Sequence, residues 1–133
     1  MKIIAKNSSL VFQAKAEPVY EDYSNYQLSN GFINAEGAFQ SSETSRSCGY
    51  VSCQEGDVFL YEGIPSATNP SVHGYSDTNG NGHVALSSGA ATLQNLRITI
   101  PNGVNYVRAW STTPDHAQRP SPNGLVFKKV VSE

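Results

Sequence analysis

The sequence predicts an all-β protein built as an antiparallel β-sandwich or barrel. Short apolar or alternating segments recur along the chain, and Gly, Asn, Pro or Ser residues separate them. No window of the sequence holds apolar residues at helical spacing over three turns. A chain of 133 residues can bury a core as one domain without metal or disulfide support. Many short strands divided by turn residues are typical of sandwiches and barrels.

Each predicted strand is a segment of apolar or alternating residues that ends at a turn signal. In chain order the predicted strands are Ser9–Lys15, Gly31–Asn34, Ala38–Ser41, Ser47–Gln54, Asp57–Tyr61, Val72–Ser76, His83–Ser87, Leu93–Ile100, Val104–Ser111 and Gly124–Val131. The turn Pro101-Asn102-Gly103 predicts a hairpin between the two strands that flank it. Gln54-Glu55-Gly56 predicts a second turn, between Ser47–Gln54 and Asp57–Tyr61.

The first 27 residues differ from the rest and predict a docking arm, residues 1–27, ahead of a sandwich domain, residues 28–133. Its first part, IIAKNSSLVFQAK, is strand-like, whereas AEPVYEDYSNYQ is acidic and aromatic and is interrupted by Pro18. A helical stripe of tyrosines is one interpretation, but Pro, Asp, Ser and Asn disfavour a helix interior, so an extended arm on a neighbouring subunit is favoured. The candidate docking residues are Leu10, Val11, Phe12, Tyr20, Tyr23 and Tyr26.

Composition disfavours several classes of partner. Charged residues make up 15% of the chain and the formal net charge is −2, so no basic excess is present to neutralise phosphates of a nucleic acid. No apolar run approaches the roughly 20 residues of a membrane helix. The N-terminus has no apolar core and no cleavage site of a signal peptide, so we expect release from a cell by another route, such as lysis.

The two cysteines, Cys48 and Cys53, predict free thiols. In one continuous strand, residues five apart point to opposite faces and lie about 16 Å apart at roughly 3.3 Å per residue. A disulfide needs Cα atoms within about 7 Å.

The stretch YSDTNGNGHV has two interpretations. Asp77, Asn79 and Asn81 are spaced like the first ligands of a calcium loop, but the twelfth position, where a bidentate Glu is needed, is Ser88. The segments on both sides alternate as strands do, and Asn and Gly favour a tight turn. A hairpin turn is therefore predicted, and a weak calcium site is the alternative.

The histidines do not predict a metal site. His73, His83 and His116 lack the spacing of a zinc site. His73 and His83 fall on neighbouring strands and could meet across the predicted hairpin, where they would be polar surface.

Nothing in the sequence predicts catalysis or a cofactor. There is no G-x-S-x-G motif. Asp115 and His116 lie in a Pro-rich loop without a supporting group. Two carboxylates for glycoside hydrolysis cannot be singled out from the acidic residues Glu36, Glu43, Glu55, Asp57 and Glu62.

The aromatic and cationic side chains of one predicted strand form the candidate functional surface. Tyr106, Arg108 and Trp110 fall on one face at alternate positions. Three interpretations stay open, namely intrachain packing, a subunit interface, and a ligand site at which rings and a guanidinium bind a sugar.

Several motifs together resemble the small jelly-roll modules of bacteriophage head-fibre, tail-fibre and decoration proteins, especially in phages of Bacteroides-like hosts. Those modules open with G-x-(I/F)-N-x-x-G and continue with a Y-x-x-V-x-x-G-D strand pair. A Y-x-D-x-N-G hairpin and a P-x-G-x-x-Y-V-R hairpin follow. The corresponding segments are Gly31–Gly37, Tyr50–Asp57 with a shift of one or two positions, Tyr75–Gly80 and Pro101–Arg108. The likeness covers about residues 31–111.

The resemblance implies a jelly-roll-like sandwich with an extended N-terminal arm, displayed on a virion after synthesis in the bacterial cytoplasm. It implies a homo-oligomer, most often a trimer, whose partners are other virion proteins and host glycans. The short arm suits a head fibre, a capsid decoration protein or a tail-appendage subunit. The alternative function is a carbohydrate-binding, lectin-like module.

Overall fold

The computed structural model describes residues 17–64, 69–88, 94–112 and 124–132, which form β-strands and connecting turns. In chain order the strands are β1 (Val19–Asp22), β2 (Ser29–Ile33), β3 (Phe39–Ser47), β4 (Val51–Ser52), β5 (Val58–Gly63), β6 (Val72–Tyr75), β7 (Val84–Ala85), β8 (Gln94–Thr99), β9 (Tyr106–Thr112) and β10 (Leu125–Ser132). Within these ranges the chain forms no helix, and hence none that could cross a membrane.

The strands make two antiparallel sheets. Sheet A has six strands, in the order β2–β3–β9–β6–β7, and β4 pairs with β9 beside the end of β3. Sheet B has four strands, in the order β1–β10–β5–β8. The prediction of an all-β antiparallel sandwich is confirmed.

The core lies between the sheets and follows from strand alternation. Along β5 every second residue is buried, which places Phe59 and Tyr61 inside. Phe59 stacks on Phe127 of β10 with ring centroids 5.0 Å apart. From sheet A, Val107 and Ala109 of β9 fill the same layer, and neither is exposed to solvent. Burying a side chain of this size stabilises the fold by about 1.5–3 kcal/mol.

The predicted hairpin across Pro101-Asn102-Gly103 is wrong. β8 belongs to sheet B and β9 to sheet A, so this turn carries the chain from one sheet to the other. Ile98 and Val107 face one core from opposite sides. Alternation shows that each strand has an apolar face, but two paired strands and two facing strands give the same pattern.

The turn at 54–56 is a second crossing, next to the first. It leads from β4 of sheet A to β5 of sheet B. The two crossings are hydrogen-bonded to each other: Gly56 N–H donates to Ile100 O at 2.9 Å, and Ile100 N–H donates to Asp57 O at 2.8 Å. They close one end of the sandwich.

The described part of the predicted arm belongs to the sandwich. Val19–Asp22 is strand β1 and pairs with β10 at the edge of sheet B. Tyr23 N–H donates to Phe127 O at 2.7 Å, and Phe127 N–H donates to Ser24 Oγ at 3.0 Å. The sequence did not predict β1, because Pro18 and two acidic residues read as a break.

The rest of the predicted arm lies outside the described residues. This applies to the predicted strand Ser9–Lys15 and to the candidate docking residues Leu10, Val11 and Phe12.

Both cysteines have free thiols, as predicted. The predicted strand Ser47–Gln54 is interrupted, because Ser47 ends β3 and the chain is next in a strand at Val51–Ser52. Cys48 is fully buried, and Ala109 N–H donates to its Sγ at 3.3 Å. Cys53 is half-buried beside the core. Burial raises the pKa of each thiol to about 11, so both are protonated at neutral pH.

Candidate functional site

The outer face of sheet A, which is turned away from sheet B, is partly covered by other segments of the same chain. On β9 the outward side chains Arg108 and Trp110 are only 8% and 2% exposed. Phe32 packs on Trp110 with ring centroids 5.7 Å apart, and Trp110 Nε1–H donates to Pro70 O at 2.7 Å. For Trp110 the structure therefore shows intrachain packing, which is one of the three interpretations of this face. Tyr106, at the start of β9, is half-buried.

Arg108 is held by a carbonyl and two rings. Its Nε–H donates to Cys48 O at 2.9 Å. Its Cζ lies 4.7 Å from the ring centroid of Tyr50 and 5.5 Å from that of Phe39, which are cation–π distances.

Within the described ranges, no carboxylate forms an ion pair with Arg108. The ion pair found there joins Lys129 Nζ and Asp57 Oδ2 at 3.4 Å. Its terminal nitrogens Nη1 and Nη2 make no hydrogen bond to any described residue. A nearly buried cation without a counter-ion is unusual, because desolvation is costly.

A cleft of about 310 Å³ opens beside the guanidinium. Its lining combines a cation, two aromatic rings, a rim carboxylate and a rim amide. The lining residues are Glu36, Gly37, Ala38, Phe39, Tyr50, Asn79, Gly80 and Arg108. The wall comes from three places in the chain: the β2–β3 turn, the segment after β3, and the tip of the β6–β7 hairpin.

The β2–β3 turn is fixed by Asn34. The Asn34 Oδ1 accepts hydrogen bonds from the N–H groups of Glu36 and Ala38, each at 3.0 Å. Gly37 has φ +85°, a left-handed conformation that glycine adopts without strain. Its carbonyl accepts a hydrogen bond from the Tyr75 hydroxyl at 2.9 Å, which fastens the turn to sheet A. This wall of the cleft is preformed.

A second part of the lining comes from the hairpin that YSDTNGNGHV predicts. The hairpin is confirmed by the antiparallel pairing of β6 with β7. Asp77 Oδ1 accepts from the N–H groups of Asn79 and Asn81 at 2.8 and 3.2 Å, and its Oδ2 accepts from Asn81 Nδ2 at 2.8 Å. The Asn81 side chain and these N–H groups lower the pKa of Asp77. The carboxylate thus holds the loop together through the loop's own donors.

The described residues contain no cluster of three metal-ligating His, Cys, Asp or Glu side chains. In the Asp77, Asn79 and Asn81 turn, both carboxylate oxygens of Asp77 accept hydrogen bonds from the loop itself.

His73 and His83 do meet across the hairpin, as predicted, with His73 Nδ1 and His83 Nε2 2.9 Å apart. The expectation that they form polar surface is wrong for His73, which is fully buried. Its Nε2 lies 2.7 Å from Pro70 O, a group that only accepts, so Nε2 carries the proton. His73 Nδ1 is then the acceptor and His83 Nε2–H the donor. Burial lowers the pKa of His73 to about 4 and also lowers that of His83.

Most of the cleft was missed by sequence reasoning. Arg108 was singled out, but Tyr50, Phe39 and Glu36 were not. Strand pairing explains why these residues were not singled out. Strands β3 and β4 pair with one side of β9, and β6 pairs with the other side. This pairing brings the segment after β3 and the hairpin tip to the same face as Arg108. The signal in the sequence was the pair of turn motifs, GFINAEG and YSDTNG, whose faces cannot be assigned before pairing is known.

The tyrosines of the predicted docking arm lie on the sandwich. Tyr20 and Tyr26 are 41% and 38% exposed. Tyr23 is half-buried, with its ring centroid 6.4 Å from that of Phe59 and 5.5 Å from that of Tyr26.

Comparison with protein-family models, with curated proteins and with solved structures finds no match for this chain. The class that the structure defines is an antiparallel β-sandwich protein with a cleft on the outer face of one sheet.

Proposed function

We propose that this chain is a structural module of a bacteriophage particle, as a head fibre, a capsid decoration protein or a tail-appendage subunit. The sequence motifs that resemble phage jelly-roll modules support this proposal. The observation that carries it is the edge of sheet B at β1, which is suited to join one chain to another.

The edge strand β1 is exposed along its whole length. Val19 is 50% exposed and Tyr20 41%, and Val131 of the neighbouring strand β10 is 53% exposed. In the described chain β1 pairs on one side alone, with β10. An apolar edge strand with unpaired backbone groups is a template for an added strand.

The occupant of this edge is the N-terminal segment of a second copy. Residues 1–16 lie directly before β1, and their part Ser9–Lys15 is a predicted strand with the apolar run Leu10, Val11 and Phe12. If each copy adds its segment to the next copy in a ring, a closed homo-oligomer results, and a trimer fits the resemblance.

Removing residues 1–16 tests this function. We expect the shortened chain to keep its β-sheet circular dichroism and melting temperature, to become monomeric by light scattering, and to be missing from purified particles. Val19→Lys places a charge on the proposed edge and is expected to reduce association as well. Val84→Lys is the matched control, because Val84 is 44% exposed on the edge strand of the other sheet. Unchanged assembly of the shortened chain would refute the docking role.

A second candidate function is a carbohydrate-binding module, and the Arg108 cleft favours it. Aromatic rings and a guanidinium beside a preformed cleft are the groups that bind sugar rings. Glu36 is the single carboxylate of the described lining, whereas glycoside hydrolysis uses two, so binding rather than catalysis is proposed.

A glycan array probed with the intact chain tests this second candidate. Binding should depend on Arg108 and Phe39. Trp110 is a poor test residue, because its indole is buried and bonded to Pro70 O, and its replacement would alter packing.

A further inference from the structure

We propose that the Arg108 cleft binds the carboxylate of an acidic sugar, a uronic or nonulosonic acid within a glycan. This inference rests on the second candidate function, the carbohydrate-binding module, and names its ligand class. It is independent of the docking role of residues 1–16, since the cleft is built from residues 36–108.

The first argument is the missing counter-ion of Arg108. The side chain is more than nine-tenths buried and lines the cleft, yet no described carboxylate lies within ion-pair distance. A buried charge is retained where something neutralises it. A ligand anion in the cleft supplies the absent partner.

The second argument is the edge of the guanidinium that makes no hydrogen bond to any described residue. Nε–H is used by Cys48 O, and the rings of Tyr50 and Phe39 lie at cation–π distance. The Nη1/Nη2 edge keeps its donors, and this edge matches the two oxygens of a carboxylate. The bond to Cys48 O and the two rings also fix the guanidinium before any ligand arrives, which lowers the entropy cost of binding.

The third argument identifies a sugar as the body of the ligand. Phe39 is 37% exposed, so part of its ring is open to an apolar sugar face. Glu36 and Asn79 on the rim offer an acceptor and an amide for hydroxyl groups. A volume of about 310 Å³ lies at the lower end of the roughly 300–1,000 Å³ of small-molecule sites, which suits one sugar unit rather than a long segment.

The fourth argument selects a carboxylate over a phosphate. Glu36 places a negative charge on the rim, and like charges near a site disfavour a dianion more than a monoanion. A monoanion that also carries hydroxyl groups uses both Arg108 and Glu36.

Titration of the intact chain followed by amide NMR shifts tests the proposal. The probes are D-glucuronic acid, N-acetylneuraminic acid, the methyl ester of glucuronic acid, glucose and inorganic phosphate. We expect saturable shifts for the two acids, centred on residues 36–39, 50 and 79–80. The ester and glucose should bind at least about tenfold more weakly, since they lack the anion that pairs with Arg108.

Three variants sharpen the test. Arg108→Lys keeps the charge and removes the planar fork, so the affinity for the acids should fall by about tenfold. Phe39→Ala removes a partly exposed ring and should weaken the acids by about three- to tenfold through lost stacking. Arg97→Lys, at an exposed position on sheet B, is the matched control and should bind like the parent.

The outcomes that overturn the proposal are distinct. Equal binding of acid and ester, phosphate binding as tight as that of the acids, or saturable shifts away from the cleft would each refute it. Binding of neutral sugars at the cleft would refute the carboxylate while supporting the second candidate function. If Arg108→Lys does not fold, two other results test the proposal. One is the comparison of acid and ester binding to the parent chain, and the other is the loss of acid affinity in Phe39→Ala.

Discussion

At the scale of single residues, the stacked pair of His73 and His83 couples the hairpin to the body of sheet A. Their ring centroids are 5.1 Å apart, and the inner ring also reaches Pro70 O. In the neutral pair both ring nitrogens of His73 are hydrogen-bonded. Protonation of His73 at Nδ1 would remove the acceptor of this contact, so His83 would have to give up the proton on Nε2 or lose the hydrogen bond. The pair therefore makes stability depend on pH.

We predict that the folded state loses stability as the pH falls from about 6.5 to about 4. The ordinary pKa of histidine is 6.5, and burial lowers that of His73 to about 4. The unfolded chain therefore takes up a proton in this window that the folded chain does not, which costs on the order of 3 kcal/mol of unfolding free energy at the acid end. Urea unfolding at pH 7, 5.5 and 4 measures this change in the free energy of unfolding.

A variant separates the contribution of His73 to the pH dependence of stability from the contribution of the carboxylates. His73→Gln should be less stable at pH 7 but should vary less between pH 6.5 and 4. The lowered pKa of Asp77 acts in a different window, because its contribution is present above the ordinary value of 3.8 and is lost below it. A parent chain whose stability is flat from pH 6.5 to 4.5 would contradict the prediction.

We predict that Gly37→Ala destabilises the protein more than Gly56→Ala. Both glycines have positive φ, +85° and +90°, so each alanine incurs backbone strain of about 1–2 kcal/mol. At Gly56 an added Cβ meets no atom within 4 Å, whereas at Gly37 it would overlap the His83 ring. The difference between the two unfolding free energies reports the clash, and equal losses would show that His83 moves aside freely.

At the scale of strands and turns, the two sheets are joined by a side-chain hydrogen bond as well as by apolar contact. The Tyr61 hydroxyl of β5 donates to Trp110 O of β9 at 2.8 Å, and both residues are buried.

We predict that Tyr61→Phe lowers the free energy of unfolding by about 1 kcal/mol, since it removes a buried donor to that carbonyl. Tyr106→Phe is the control, because the Tyr106 hydroxyl makes no hydrogen bond within the described ranges. Urea midpoints with unchanged slopes would measure the effect, and equal losses in the two variants would argue against the inter-sheet bond.

The sequence predicts strands better than it predicts their partners. Segments such as Leu93–Ile100 and Val72–Ser76 match β8 and β6 closely, because alternation reports how many faces of a strand are buried. It does not report which strand lies alongside, so the same pattern predicts a hairpin at Pro101-Asn102-Gly103, where the chain in fact crosses between the sheets. Strand β1 is not predicted, because Pro18 and two acidic residues interrupt the apolar pattern there, and the structure shows it exposed along its whole length.

The candidate site could be predicted only in part, because alternation assigns residues to a face of a strand but does not show which strands are neighbours. Arg108 and Trp110 were placed on one face correctly, but the covering residues come from a hairpin and a loop remote in sequence. Only the pairing of β9 with β3, β4 and β6 brings them together.

At the scale of the whole molecule, the buried thiol of Cys48 reports global unfolding. Burial raises the pKa of Cys48 to about 11 and leaves it without solvent exposure. We predict that in a Cys53→Ser variant at pH 7.5 the remaining thiol reacts with a disulfide reagent only at the rate at which the sandwich opens. The labelling rate should rise with urea along with loss of β-sheet signal. Rapid labelling in the native state would contradict this account of the core.

The pairing of β1 with β10 has a consequence for how the protein is made. The first and last described strands are neighbours in sheet B, and β10 also supplies Leu125 and Phe127 to the core. A nascent chain still lacking residues 125–132 leaves β1 and β5 without the strand between them. We expect ribosome-bound chains to remain sensitive to protease until that strand has left the exit tunnel, and then to become resistant in one step. The sandwich would thus fold only after the last of its described strands has left the ribosome.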